Sequence, residues 1–494
     1  MGTARRSPSL RKAGGITMSQ MAVFAALGAL LSGALVGAVV GSAAQRELPA
    51  LHVSADGRCI VTPEGDPFFW LGDTAWSLRA ISPGDVDSYM ESRSANGFNV
   101  IQVHCGYDVT DFAGARPFQD NDADRPNEAF WRNIDDIVAK ARDHGIYTAL
   151  VPMWGAEYGK AFGDDAAKAG RFGEWIGRRY AGLTHVLWIV SGEYDSINNF
   201  RLPITEAQKN VFAAVARGLR EAHGGSQLMT IHPGAARTSS LDFHDAAWLD
   251  FDMLQSGHTI DCEAYALPES HTLISHDRGL EPAKPVLDGE PIYEDTPDGV
   301  WMGNGATKPR ADAAAIRRKA YWAVFAGAFG HTYGHNDVYC FYEPEQPGLV
   351  RAELPAQRGS WRAALDAPGA LQMKYVRFLC ESRPFLGRVP DPSLVVGGPA
   401  TGLDHVEAVR AEDGCYAMIY IPTGKPVTVA LDRLKAGRIV AWWYDPRTGR
   451  ARRAGRYDRN GEREFTPPTS GDGQDWVLIL DDAARGYRPP GRRP

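Results

Sequence analysis

The sequence is short of the features that would classify it quickly. Its six cysteines (Cys59, Cys105, Cys262, Cys340, Cys380 and Cys415) are scattered and include no C-x-x-C pair. A zinc site built on thiolates is therefore not expected, and spacing gives no disulfide pairing. No G-x-S-x-G turn presents a serine nucleophile, and no H-E-x-x-H pair lies on a helix. No Gly-rich phosphate fingerprint follows the first strand pattern, which weighs against a dinucleotide-binding fold. Basic charge is also scarce, with 53 Lys and Arg against 60 Asp and Glu. That balance disfavours a nucleic acid or an anionic membrane as partner.

What is present begins with a leader. Arg5, Arg6, Arg11 and Lys12 precede an apolar run from Met21 to about Val40, and Ser42-Ala43-Ala44 supplies small residues for an export peptidase. Residues 1–44 are expected to be an export signal. The run is long, so an uncleaved membrane anchor is the alternative. Without these residues the balance is 49 basic to 60 acidic groups, a formal charge of −11. The expected location is secreted, periplasmic or on the cell surface. The length of 494 residues, with 44% hydrophobic and 23% charged, fits a soluble protein of one large and one smaller domain.

From Leu51 onward short β-rich runs alternate with helical patterns. A hairpin-like opening leads to Phe68–Leu71, followed by runs at Phe98–Val103, Ile146–Val151, His185–Val190, Leu228–Ile231, Met253–Gln255, Pro285–Leu287 and about His331–Tyr333. Helices between them are marked by Ser82-Pro83 at a start, by Thr205 and Gln208 as a capping box, and by Gly145 at an end. Eight such units over roughly 320 residues predict an α/β fold, a (β/α)8 TIM barrel spanning 45–385 with an N-terminal β-hairpin. An open doubly wound sheet is the alternative. Beyond Pro384 the texture changes to short β-rich runs separated by Gly, Asp and Pro, which predicts a small antiparallel β-sandwich at 386–484. The Pro- and Arg-rich end, 485–494, is expected to be disordered.

In such a barrel, polar groups at the C-terminal ends of the strands form the site. The candidates are Asp73 and Trp76 after the first strand, His104 after the second and Trp154 after the third. Glu193 follows the fourth, His232 the fifth, Gln255 and His258 the sixth, Glu290 the seventh and His335 the eighth. Glu193 and Glu290 end strands that face one another across the mouth. Paired carboxylates of this kind are what glycoside cleavage needs, one to protonate the leaving oxygen and one to attack or to activate water. Asp195 and Asp288 are the alternative acids, and Asp288 and Glu294 are expected to support Glu290. The histidines could instead converge on a metal, but the spacing of a metal-dependent barrel hydrolase is missing, since Asp73 stands where a His-x-His would be expected. They are read as donors to sugar hydroxyls, with no metal and no cofactor.

Several motifs carry a family resemblance. They are Trp70-Leu71-Gly72-Asp73-Thr74-Ala75-Trp76, Asn99-Val100-Ile101-Gln102, Ala149 to Gly155, Leu249 to His258, Pro285 to Glu294 and His331 to Asn336. Together they resemble the apiosidase-like glycoside hydrolases, family 140, a (β/α)8 barrel often followed by a β-sandwich named for collagen binding. The resemblance covers about Leu51 to Asp482. It implies an acid/base at Glu193, a nucleophile at Glu290 and a carbohydrate partner. The family's fourth-strand motif usually reads Gly-Gly-Asp followed by Arg-Asn, whereas here it is Ser191-Gly192-Glu193-Tyr194-Asp195. The longer acid and changed neighbours bear on the substrate, so apiose stands beside other furanosides and deoxy-sugars. A non-catalytic adhesion protein that binds polysaccharide or collagen and a metal-dependent hydrolase are the readings from other classes.

Overall fold

The computed structural model describes residues 47–300, 307–345, 357–399 and 401–492; the expected leader at 1–44 lies outside them. The strand runs form β1 (Trp70–Thr74), β2 (Val100–His104), β3 (Tyr147–Val151), β4 (Val186–Ile189), β5 (Met229–Thr230), β6 (Asp252–Gln255), β7 (Val286–Asp288) and β8 (Gly330–Tyr333). β8, β1, β2, β3, β4 and β5 form one parallel ladder in that order, with β8 paired to β1 from Gly330↔Trp70 to Tyr333↔Asp73, and β6 pairs with β7 in a second parallel ladder. Two joints are thin. Asp250 N–H donates to Met229 O at 2.9 Å between β5 and β6, and Phe329 N–H to Val286 O at 3.2 Å between β7 and β8. The ring is a (β/α)8 barrel.

The intervening helices are α1 (Pro83–Ala95), α2 (Glu128–Asp143), α3 (Ala166–Arg179), α4 (Glu206–His223), α5 (Ser270–Arg278), α6 (Ala313–Phe325) and α7 (Pro368–Glu381). Ser82, Asn127, Asp165 and Thr205 cap the first four through side-chain oxygens that accept backbone N–H bonds. No helix of comparable length follows β5; a short strand, Arg237–Thr238, and the turn of helix Ser240–Phe243 stand there.

Strand periodicity sorts each side chain. Trp70, Val100, Ala149, Val151, Leu187, Met253 and Leu287 fill the barrel interior. Ile101, Val103, Leu150 and Trp188 face the helices. The N-terminal hairpin (His52–Val53 with Ile60–Val61) adds Leu48, Leu51 and Ile60 to the interior group, so the floor is sealed and the cavity opens at the other end.

The C-terminal domain has nine strands: β9 (Arg388–Pro390), β10 (Val395–Gly397), β11 (Glu407–Ala411), β12 (Tyr416–Ile421), β13 (Val427–Ala430), β14 (Arg438–Asp445), β15 (Arg450–Asp458), β16 (Glu462–Phe465) and β17 (Trp476–Asp482). They form antiparallel sheets in the orders β9-β11-β12-β17-β14-β15 and β10-β13-β16. In β12, Ala417, Ile419 and Ile421 point between the sheets, while Tyr416, Met418 and Tyr420 point at α6 and α7. The larger sheet is thus buried on both faces. Two bidentate ion pairs lie in this joint, Arg317 with Asp475 and Arg383 with Asp481 (2.8 and 2.6 Å). Beyond β17 the Tyr487 ring lies under Arg383, 4.7 Å from centroid to guanidinium, and its hydroxyl is 3.2 Å from Cys415 Sγ.

Both members of the Arg383–Asp481 pair are almost fully buried, so removing one leaves an uncompensated charge. Arg383→Met is expected to cost about 3–5 kcal/mol, and Arg383→Met with Asp481→Leu to recover most of it. Urea denaturation of both variants measures this.

Candidate active site

Glu290 follows the end of β7, and three side chains close on its carboxylate. His258 Nε2 lies 3.0 Å from Oε1, Gln255 Nε2 donates to Oε1 at 3.2 Å, and His232 Nε2 lies 3.3 Å from Oε2. The Tyr293 hydroxyl, on the same cavity wall, accepts from Trp76 Nε1 at 3.0 Å. Burial alone would raise the Glu290 pKa, but the bonds from His232 and His258 outweigh it and hold the group well below the ordinary carboxylate range. His232 is in turn raised: burial opposes its charge, and the hydrogen bond to Glu290 overcomes that.

Glu193 follows β4 with φ 35° and ψ 61°, a left-handed conformation that costs a non-glycine residue about 1 kcal/mol or more. Its carboxylate accepts one bond, from Trp154 Nε1 at 3.0 Å. Burial and the negative charge of Glu290 push it up to about 7. One carboxyl is therefore kept charged, and the other holds its proton until the pH approaches about 7.

Trp76, Trp154, Glu193, Gln255, His258 and Glu290 line one cavity of about 510 Å³. Phe200, Ala235, Tyr293, Thr296, Val300, Asn336 and Tyr339 complete its wall. Tyr293 and Asn336 lie inside motifs visible in the sequence, but no spacing signals that they turn inward. Phe200, Ala235, Thr296 and Val300 come from loops whose course the sequence does not give. Phe200 stands at the mouth, 56% exposed and with φ 59°.

Two glycines let aromatic rings lie flat on backbone. A Cβ on Gly192 would come within 2.3 Å of the Trp154 ring, and one on Gly334 within 2.1 Å of Tyr293.

Four expected pocket residues lie elsewhere. Asp73 falls within β1 rather than beyond it, so strand alternation points it outward, where Arg93 Nε donates to it at 2.6 Å and Tyr89 also bonds it. His104 stands behind Trp154, its ring 4.8 Å from the indole, with Nε2 2.9 Å from Glu157 Oε2. Glu157 also accepts from Trp154 N–H at 2.8 Å, so the pair braces the tryptophan. His232 is fully buried beneath Glu290 and edge-on to Trp76. His335 borders a separate hollow of about 930 Å³ with Asp337, Arg310 and Arg358, and its Nδ1 accepts from Asp337 N–H.

The other acids are occupied. Asp288 accepts from Ser256 Oγ at 2.7 Å, Asp195 from Gly234 N–H at 2.7 Å, and Glu294 from Tyr333 Oη at 2.7 Å and Gly369 N–H at 2.9 Å.

Known proteins share this frame. Residues 54–387 match the family described as the apiosidase-like catalytic domain, and residues 389–481 match the one described as the "collagen-binding domain of a collagenase". A solved glycoside hydrolase is 31% identical with a TM-score of 0.79, covering 88% of this chain and 97% of its own. A glycoside hydrolase family 5 structure from Bacteroides vulgatus ATCC 8482 is also 31% identical, with a TM-score of 0.80, covering 89% of this chain and 95% of its own. A curated relative, the 5-amino-6-(D-ribitylamino)uracil–L-tyrosine 4-hydroxyphenyl transferase of Microcystis aeruginosa, is 34% identical over 74 residues, 15% of this chain and 17% of that enzyme. The chain thus spans about a sixth of the curated relative's length.

A barrel with this cavity and these relatives is a glycoside hydrolase. Within that class, the chain belongs to the apiosidase-like family.

The Trp154 bond favours the charged form of Glu193. Trp154→Phe removes the donor, so the Glu193 carboxyl is expected to titrate higher than in the wild type. Carbon-13 NMR of labelled glutamate follows the shift, and an unchanged or lower midpoint would contradict it.

Proposed function

We propose that this glycoside hydrolase acts outside the cytoplasm on a plant or microbial cell-wall polysaccharide. It removes apiose, or another furanoside or deoxy-sugar side chain, with retention of configuration. Glu193 is the general acid/base and Glu290 the nucleophile. The observation that carries this reading is that both carboxylates open onto one cavity from facing strand ends while their surroundings drive their protonation apart. Glu193 gives its proton to the leaving oxygen as Glu290 bonds the anomeric carbon. The carboxylate of Glu193 then takes a proton from the water that hydrolyses the glycosyl ester.

The wall chemistry supports a neutral sugar. Among the described residues that line the cavity there is no lysine or arginine, while indole and phenol rings and amide groups are plentiful. Aromatic faces suit the C–H surfaces of a sugar, and amides and imidazoles suit its hydroxyls. Export is supported by the basic-apolar-small pattern of residues 1–44.

The test is hydrolysis of a glycan and aryl-glycoside panel by the wild type, Glu193→Ala and Glu290→Ala. Glu290→Ala is expected to be inactive on all of them. Glu193→Ala should lose about 10²–10⁴-fold on natural linkages and less on aryl glycosides, whose leaving groups need little protonation. Full activity in either variant would end the assignment. Trapping the glycosyl unit with methanol and reading the anomer by proton NMR tests retention; the inverted anomer would make Glu290 a general base.

The acid must carry its proton, so kcat/KM is expected to fall as pH rises through about 7. On the acid side it should persist below the ordinary carboxylate range, because Glu290 stays charged there. A pH–rate profile still rising above pH 8 would be inconsistent with Glu193 as the acid.

A further inference from the structure

Away from the cavity, one set of metal-ligand side chains spans the joint between barrel and sandwich. His271 sits in the first turn of α5, whereas His405 and Glu407 enter β11. The two imidazoles stack with centroids 4.2 Å apart and planes 11° apart. His405 Nε2 lies 2.8 Å from Glu407 Oε1. One ligand atom from each of the three residues falls within 4.8 Å of the other two.

Trp322 of α6 packs beside both rings. Its ring is edge-on to His271 at 5.2 Å and to His405 at 5.9 Å, and its Nε1 donates to the His405 carbonyl at 2.8 Å. His271 Nδ1 is shielded from solvent and makes no hydrogen bond.

We infer that His271, His405 and Glu407 form a divalent transition-metal site of the zinc class that staples the sandwich to the barrel. Two imidazoles and one carboxylate suit zinc, with water as the fourth ligand, and do not suit calcium or magnesium, which want oxygen ligands. Metal–ligand bonds of about 2.0–2.2 Å require the three donor atoms to draw closer together than their present spread, a movement that side-chain rotation supplies. The ammonium of Lys319 nearby is matched by the carboxylate of Glu269, so the local field does not repel a cation. The staple joins residues 134 and 136 positions apart in sequence. It holds only the folded state, so it stabilises by mass action.

The experiment uses the full chain, stripped with chelator, dialysed and titrated with zinc chloride alone. Calorimetry and metal counting after gel filtration are expected to give one zinc per chain. The thermal midpoint should rise by about 2–5 °C and fall back with EDTA. His271→Ala should bind zinc at least tenfold more weakly, and Glu407→Gln serves if substitution of His405 prevents folding. Cobalt in place of zinc should give the visible absorption of a four-coordinate ion in the wild type and not in His271→Ala. Hydrolysis of an aryl glycoside should be equal in stripped and loaded protein. Failure of the wild type to retain zinc, or equal retention by His271→Ala, overturns the site. Zinc-dependent hydrolysis that survives His271→Ala also overturns it, because the metal would then belong to the cavity.

Discussion

Two carboxylates in one water-poor cavity repel each other, and the site is arranged around that repulsion. Coulombic energy between like charges grows as water is excluded, so the pair settles with one proton shared unequally. The allocation is made by neighbours. Glu290 has two imidazoles and an amide turned towards it, whereas Glu193 has a single indole N–H. A proton is therefore cheapest on Glu193. The buried Asp288, Asp195 and Glu294 are turned instead to hydroxyl and backbone donors of their own.

The barrel makes that allocation rigid. β4 and β7 lie within a closed ring whose interior is filled and whose floor is sealed by the N-terminal hairpin. Above them, Trp154 and Tyr293 rest on glycine backbone and are braced in turn, Trp154 by the Glu157–His104 pair and Tyr293 by Trp76. The segment that carries Glu193 is the strained one. Glu193, Asn199 and Phe200 all hold positive φ within eight residues.

Much of this was legible in the chain. Alternating apolar runs gave the eight strands and their order, because a parallel strand covered on both faces reads as an unbroken hydrophobic segment. The two carboxylates followed from strand-end placement. Asp73 shows where that reasoning fails: the strand continues three residues past Leu71, through Gly72-Asp73-Thr74, and its alternation turns the expected pocket acid to the helix side of the wall. His104 and His232 end their strands as expected, yet aromatic rings and Glu290 stand between them and the cavity, an arrangement that spacing does not encode. In the sandwich, β15 is not legible in the sequence, because Arg450–Asp458 is an exposed edge strand rich in arginine, without an apolar alternation.

The doubly buried sheet of the C-terminal domain has a further consequence. A binding module on a flexible tether raises the local concentration of its enzyme near a polymer, and the gain depends on linker length. Here α7 ends at Glu381 and β9 begins at Arg388, and Tyr416, Met418 and Tyr420 are locked against α6 and α7. There is no tether to lengthen. Whatever the sandwich touches is therefore held at one fixed angle to the barrel, and its reach is set by packing rather than by chain length.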